Sequence, residues 1–186
     1  MMLTGINQWA FPDDMLTASA MAIAARLGFQ SFEICVGESG PTSLAATESD
    51  ITALRREADK LGLSLRTVGT GLGWQYPMTS PDVELRAKGA DATVKALQIA
   101  KWLGAHTLLV VPGIVSPEIS YEAALENALT ATQELTPAAE KAGVTLGIEN
   151  VWNKFLLSPV EMRDFIDQCE SEYVGAYIDT GNIILY

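Results

Sequence analysis

The sequence predicts an α/β chain built around one parallel sheet, and three observations carry that prediction. Short apolar runs alternate with amphipathic helical stretches along the whole chain. Four helical stretches close on the same phrase, a glycine stop followed by the next apolar run: "ARLGFQSFEI", "DKLGLSLRTV", "KWLGAHTLLV" and "EKAGVTLGIE". The central run "TLLVV" is apolar at consecutive positions, the pattern of a parallel strand covered on both faces.

In order, "MLTGIN" reads as the first strand and "MLTASAMAIAARLG" as an Ala-rich helix stopped by Gly28. "FQSFEIC" is the second strand, followed by a Gly, Pro and Ser loop. The helix "SDITALRREADKLG" then has a capping residue, helical apolar spacing and a terminal Gly62. "LSLRTVGT" is the third strand. The long helix "PDVELRAKGADATVKALQIAKWLG" opens on proline and acid and closes on glycine, the polarity that helix ends favour. "AHTLLVVPG" is the fourth strand. "SYEAALENALTATQELTPAAEKAG" is helical, with Pro137 expected to kink or interrupt it. "VTLGIEN", "SPVEMRDFIDQCE" and "YVGAYIDT" complete the series as strand, helix and strand.

Six strands and five helices leave two architectures. An open doubly wound sheet places a Gly-rich phosphate turn after its first strand, and "INQWAFPDD" offers none. Strictly sequential units with right-handed crossovers instead suit a parallel (β/α) barrel of the TIM type. A full barrel of that kind commonly takes ~250 residues. The expectation for residues 1–186 is therefore a single partial (β/α) barrel domain, incomplete, with about six of eight strands.

Composition narrows the function. With 23 Asp and Glu against 12 Lys and Arg, the net charge of −11 opposes phosphate backbones and acidic lipid, so neither nucleic acid nor a membrane is an expected partner. The N-terminus lacks a basic start followed by an apolar stretch, and no apolar run reaches the ~18 residues of a membrane span. The expected setting is soluble and cytoplasmic. Cys35 and Cys169 lie far apart without metal-type spacing and read as reduced thiols.

In a parallel barrel, chemistry gathers where strands end, which singles out Asn7, Glu33, Gly69, Pro112, Glu149 and Asp179. Glu149 after "TLGI" and Asp179 after "GAYI" are the informative pair. A carboxylate at a barrel mouth must be solvated, paired or bound to a cation, and two on neighbouring strands can share one hard divalent ion. Glu33, one residue before its strand's end, and Lys154, just beyond Glu149, are candidate substrate contacts. Trp9, Phe11 and Trp152 are candidate apolar walls. The loop "GTGLGWQYP" departs from phosphate-loop spacing and reads as a flexible cover carrying Trp74 and Tyr76. His106 falls at the opposite, stability face, so no histidine triad is available.

The stretches "MTSPDVELRAKGADATVKALQIAKWLGAHTLLVVPG", "GIENVWNKFLLSP" and "YIDTGNIILY" resemble the xylose isomerase-like barrels. The likeness runs along the whole chain and is specifically to the sugar phosphate isomerases and epimerases, including hexulose-6-phosphate isomerase, xylulose-5-phosphate 3-epimerase and tagatose 3-epimerase. The resemblance implies one divalent ion (Mn, Mg, Zn or Co), held by a Glu, an Asp, a His and a second Glu. Glu149 and Asp179 match the first two, and the other two have no counterpart, so the ligand set is incomplete and the chain looks truncated at its C-terminus. The implied reaction is isomerisation or epimerisation of a ketose sugar or sugar phosphate through an enediolate, with Glu149 as both ligand and base. The opposite base being absent, the 186 residues are expected to be inactive alone. The alternative expectation is a non-catalytic sugar-binding or assembly protein whose open barrel edges pair with another chain, including a second copy. An abasic-site endonuclease on the related barrel fits poorly, since it needs several histidines and a basic groove.

Overall fold

The computed structural model describes residues 2–184. Six parallel strands form one sheet in sequence order: β1 (Gly5–Asn7), β2 (Ser31–Val36), β3 (Thr67–Thr70), β4 (Thr107–Val110), β5 (Thr145–Glu149) and β6 (Val174–Tyr177). Helices α1 (Thr17–Arg26), α2 (Glu48–Leu61), α4 (Val83–Leu103), α5 (Tyr121–Ala142) and α6 (Pro159–Gln168) make the crossovers. This is the predicted (β/α) architecture. The first strand is shorter than "MLTGIN" suggests, since only Gly5–Asn7 pair with β2.

The repeated glycine phrase has a common cap geometry. Gly28, Gly62, Gly104 and Gly143 all have positive φ, between 69° and 88°. The residue after each glycine returns its N–H to an alanine carbonyl in the last turn: Phe29 to Ala24, Leu63 to Ala58, Ala105 to Ala100 and Val144 to Ala139. These are Schellman bonds, which satisfy otherwise orphaned carbonyls and turn the chain straight into the next strand.

Pro137 does not interrupt α5, which runs unbroken from Tyr121 to Ala142. The carbonyl that Pro137 cannot serve is that of Gln133, four residues back. The Thr136 hydroxyl donates to it at 2.8 Å, replacing the missing backbone bond. The loop "GTGLGWQYP" is also more ordered than expected, because Leu72–Gln75 form one turn of helix, α3. Buried Leu72 holds this turn, and a Cβ on Gly73 would lie 2.0 Å from the Val111 carbonyl oxygen.

Strand alternation divides the interior in two. Phe32, Ile34, Val36, Val68, Leu108, Val110, Leu146 and Ile148 face the helices and form the main core. The other face carries Leu109, Val111, Val151 and Tyr177 as a small separate apolar cluster, together with the polar side chains described below. Among the described residues, no helix is long and apolar enough to cross a membrane.

Gly89 gives a test of this packing. In an exposed helix, Gly to Ala gains up to ~1 kcal/mol, but a Cβ here would lie 2.4 Å from the Tyr76 carbonyl oxygen. Gly89→Ala is expected to destabilise the protein by roughly 1–3 kcal/mol, as overpacking does. Urea unfolding measures it, and a neutral or stabilising result would refute this account of the contact.

Candidate metal and sugar site

Glu149 is the last residue of β5, half-buried on the inner face of the sheet. Asp179 follows β6 by two residues and caps the short helix α7 (Thr180–Ile183), its Oδ1 accepting from Asn182 N at 2.9 Å. The expected loop start is thus a helix N-cap. Asn150 fixes the two strand exits together: its Oδ1 accepts from Asp179 N at 2.9 Å, and its Nδ2 donates to Asp179 O at 2.7 Å. Asn182 Nδ2 closes the arrangement on Asn150 O at 2.9 Å.

The Glu149 carboxylate makes no hydrogen bond within the described residues. Burial pushes its pKa up to about 7, with the Asp179 charge second and the Glu33 charge third. Its neighbouring charges are therefore of its own sign. Such a pair stores repulsion that a cation relieves, and carboxylate oxygens are the donors that hard divalent ions take. Among the described residues, Asp179 Oδ2 accepts no hydrogen bond beside the capping bond of Oδ1. The two residues fit as part of a ligand set, although no three His, Cys, Asp or Glu side chains converge in ligand geometry among the described residues.

Glu33 lies in the middle of β2, not near its end, and faces inward. Its Oε1 accepts from Asn7 Nδ2 on β1 and its Oε2 from the Tyr177 hydroxyl on β6. Burial raises the Tyr177 pKa, and the Glu33 hydrogen bond and charge add to the rise, which keeps the phenol protonated as donor. Asn7 Oδ1 in turn accepts from Trp9 N at 2.7 Å and from the Cys35 thiol at 3.2 Å. Burial, then the Glu33 charge, pushes that thiol up to about 12, so Cys35 is no nucleophile at neutral pH.

Trp9 sits on a one-turn 3-10 helix (Gln8–Ala10), 55% exposed. With Phe11, Cys35, Glu38 and Gln75 it lines a cleft of about 360 Å³ between the exits of β1, β2 and β3. Tyr76 donates to Glu38 at 2.8 Å, joining the loops that follow β2 and β3. Trp74 is 46% exposed near the same cleft, where Gly71 lies close to both indoles. Lys154 is exposed, with φ of 59°, in the loop beyond β5. Buried Asn153 pins that loop by donating to Gly113 O at 2.6 Å. Trp152 is exposed in this loop, and His106 stands at the far end of the sheet, as expected. An apolar cavity of about 270 Å³ beside β6, lined by Leu156, Met162 and Ile178, contains neither Glu149 nor Asp179.

The structure thus brings Glu33, Glu149 and Asp179 to one inner surface with Trp9 at its rim. In the sequence Asn7 stands out only as a strand end, and Asn150 and Tyr177 do not stand out. The signal for Asn150 was its place directly after Glu149; Tyr177 had none beyond its inward register.

A parallel (β/α) sheet with carboxylates at the C-terminal strand ends defines the class of barrel proteins that work at the strand mouth. Within that class the chain belongs to the xylose isomerase-like TIM barrel family, whose profile matches residues 21–186. A Haemophilus influenzae protein described as "Putative L-ribulose-5-phosphate 3-epimerase SgbU" is 24% identical over 185 residues, covering 96% of this chain and 63% of that protein. A D-psicose 3-epimerase crystallised in the presence of D-fructose superposes with a TM-score of 0.86 at 20% identity, over 99% of this chain and 65% of its own. An L-ribulose 3-epimerase gives 0.83 at 20% identity, over 100% of this chain and 63% of its own. The chain therefore spans just under two thirds of the length of these relatives.

The raised Glu149 pKa sets a pH dependence in metal-free protein. Native Glu149 holds its proton up to about pH 7, whereas the unfolded chain releases it near the ordinary 4.5. The native state binds more protons in that window, so the contribution of Glu149 to stability is fully present below about 4.5 and is lost as pH rises through about 7. Discounted for the carboxylate's partial exposure, the fall is roughly 1–2 kcal/mol. Glu149→Gln should flatten this part of the profile, read by urea unfolding in EDTA; an unchanged slope would refute the assignment.

Proposed function

We propose that these residues carry one side of a divalent-metal site in an isomerase or epimerase acting on a ketose sugar or sugar phosphate. The observation that carries the reading is the Glu149–Asp179 pair of like charges at adjacent strand exits, joined through Asn150. Burial raises the Glu149 carboxylate in the metal-free protein, and a bound cation would lower it again, leaving Glu149 ionised and able to accept a proton. Names of the relatives, L-ribulose, D-psicose and L-ribulose-5-phosphate 3-epimerases, support a ketose as substrate class.

In this reading Glu149 and Asp179 would hold a divalent ion such as Mn, Mg, Zn or Co. When bound, the ion withdraws charge from the ketose oxygens and so acidifies the adjacent C–H. Glu149 removes the proton from the carbon beside the carbonyl. Asn150 and the α7 cap keep Asp179 fixed while charge develops. Trp9 packs against the carbon skeleton, Glu33 stands on the sugar side of the inner face, and Lys154 contacts a substrate oxygen. Inversion at carbon needs a second base on the opposite face, and a full ion shell needs further ligands. The 186-residue polypeptide alone is accordingly expected to bind the metal and not to turn over.

A second reading, a sugar-binding or assembly protein whose sheet pairs with another chain, is favoured by the exposed Leu157, Val160, Ile178, Ile183 and Ile184 near β6. A strict monomer in sedimentation at micromolar concentration would count against it.

The first reading is tested by thermal unfolding with added MnCl2. Manganese should raise the midpoint by mass action. Asp179→Asn and Glu149→Gln should each abolish the rise. A rise that survives both substitutions, or none in the unsubstituted protein, would overturn the proposal. Epimerisation of a ketose by the pure 186-residue chain would overturn the expectation that it is inactive.

A further inference from the structure

Tyr177 and Glu33 are 144 residues apart and lie on β6 and β2, with β3, β4 and β5 between them. Four inter-strand steps would separate β2 and β6 by about 19 Å in a flat sheet, too far for a Tyr and a Glu side chain to meet. Their hydrogen bond therefore spans the concave inner face. Room for it is provided by two glycines. A Cβ on Gly69 would lie 3.1 Å from Cys35 Sγ and 3.2 Å from Glu33 Oε1, and one on Gly147 would lie 2.9 Å from the Tyr177 ring. The Tyr177 ring also rests on the inner cluster of Leu109, Val111 and Val151.

The chain of bonds continues past Glu33. Asn7 donates to the other Glu33 oxygen and accepts from the backbone N–H of Trp9. One end of the series thus lies two residues before Asp179, and the other holds the turn that presents Trp9. The exposed Trp9 indole stands on a one-turn helix that Asn7 caps. That turn is also tied to β2 by Gln8, whose Oε1 accepts from Cys35 N at 3.1 Å.

We propose that Tyr177, Glu33 and Asn7 form a strut across the barrel interior that positions the Trp9 wall relative to the Glu149–Asp179 pair. Tyr177 and Glu33 are then positioning residues for the sugar site. Glu33 has each oxygen taken by a strand at one edge of the sheet, so its contribution is the spacing between wall and carboxylates. The functional meaning rests on the reading of Glu149 and Asp179 given above; the mechanical coupling does not.

The test reads the indole N–H resonance of Trp9 in the metal-free 186-residue protein, assigned by its loss in Trp9→Phe. Tyr177→Phe removes one hydroxyl and keeps the ring. It should shift the Trp9 resonance even though its site is across the sheet from Trp9. Val174→Ala is the control, since it weakens the same strand on the helix-facing side, and it should leave the resonance in place. Glu33→Asp keeps the charge but shortens the reach by one methylene, and should shift Trp9 as Tyr177→Phe does. If Tyr177→Phe shifts Trp9 no more than Val174→Ala does, the strut is refuted. Should Tyr177→Phe fail to fold, Glu33→Asp decides in the same way. Because neither metal nor sugar enters this measurement, absence of manganese binding would remove the proposed function and leave the strut standing.

Discussion

The curl of the parallel sheet is the constraint on which the rest of this protein depends. Six parallel strands laid flat would present one broad face to solvent or to a second layer. Here the face bends until β6 reaches β2, and Glu33 takes hydrogen bonds from both edge strands, through Asn7 on β1 and Tyr177 on β6. The outer face, rich in Ile, Val, Leu and Phe, packs under the helices and supplies the hydrophobic core. The inner face is narrow and partly polar, and its Glu33, Glu149 and Tyr177 side chains are half-buried. It requires small residues where side chains cross, which is why Gly69 and Gly147 stand at inward positions.

That enclosure gives the carboxylates their chemistry. Glu149 on an open surface would titrate in the ordinary range; on the inner face, burial is the largest cause of its rise, ahead of the Asp179 and Glu33 charges. The strand ends bring like charges together, while the ion pairs Lys60–Glu57 and Arg163–Asp164 lie away from them on helices. An arrangement that costs stability in the bare protein is the expected mark of a binding site. Asn150 and the Asp179 cap hold the two strand exits in place despite the repulsion.

Much of the fold was legible because it is written locally. The four glycine phrases are Schellman caps, whose bonds involve only neighbouring residues and whose positive φ favours glycine. Glu149 and Asp179 could be expected at the mouth because strand ends in a parallel fold all point one way. Where the reading slipped, the cause was a compensation invisible in propensities. Pro137 is tolerated because Thr136 serves the carbonyl it abandons. The "GLGWQ" segment forms a turn of helix because Leu72 is buried and Gly73 closes on Val111.

By itself, then, the sequence determined the order of elements, the parallel class and the acidic pair at the strand ends, all consequences of short-range periodicity and chain direction. Only the tertiary structure decided what those residues meet. Tyr177 and Glu33 become partners across 144 residues because the sheet bends, and Glu33, read as a site acid near a strand end, sits mid-strand with both oxygens occupied. Curvature is a property of the whole sheet, summed over six strands and their packed helices, and no local pattern encodes it.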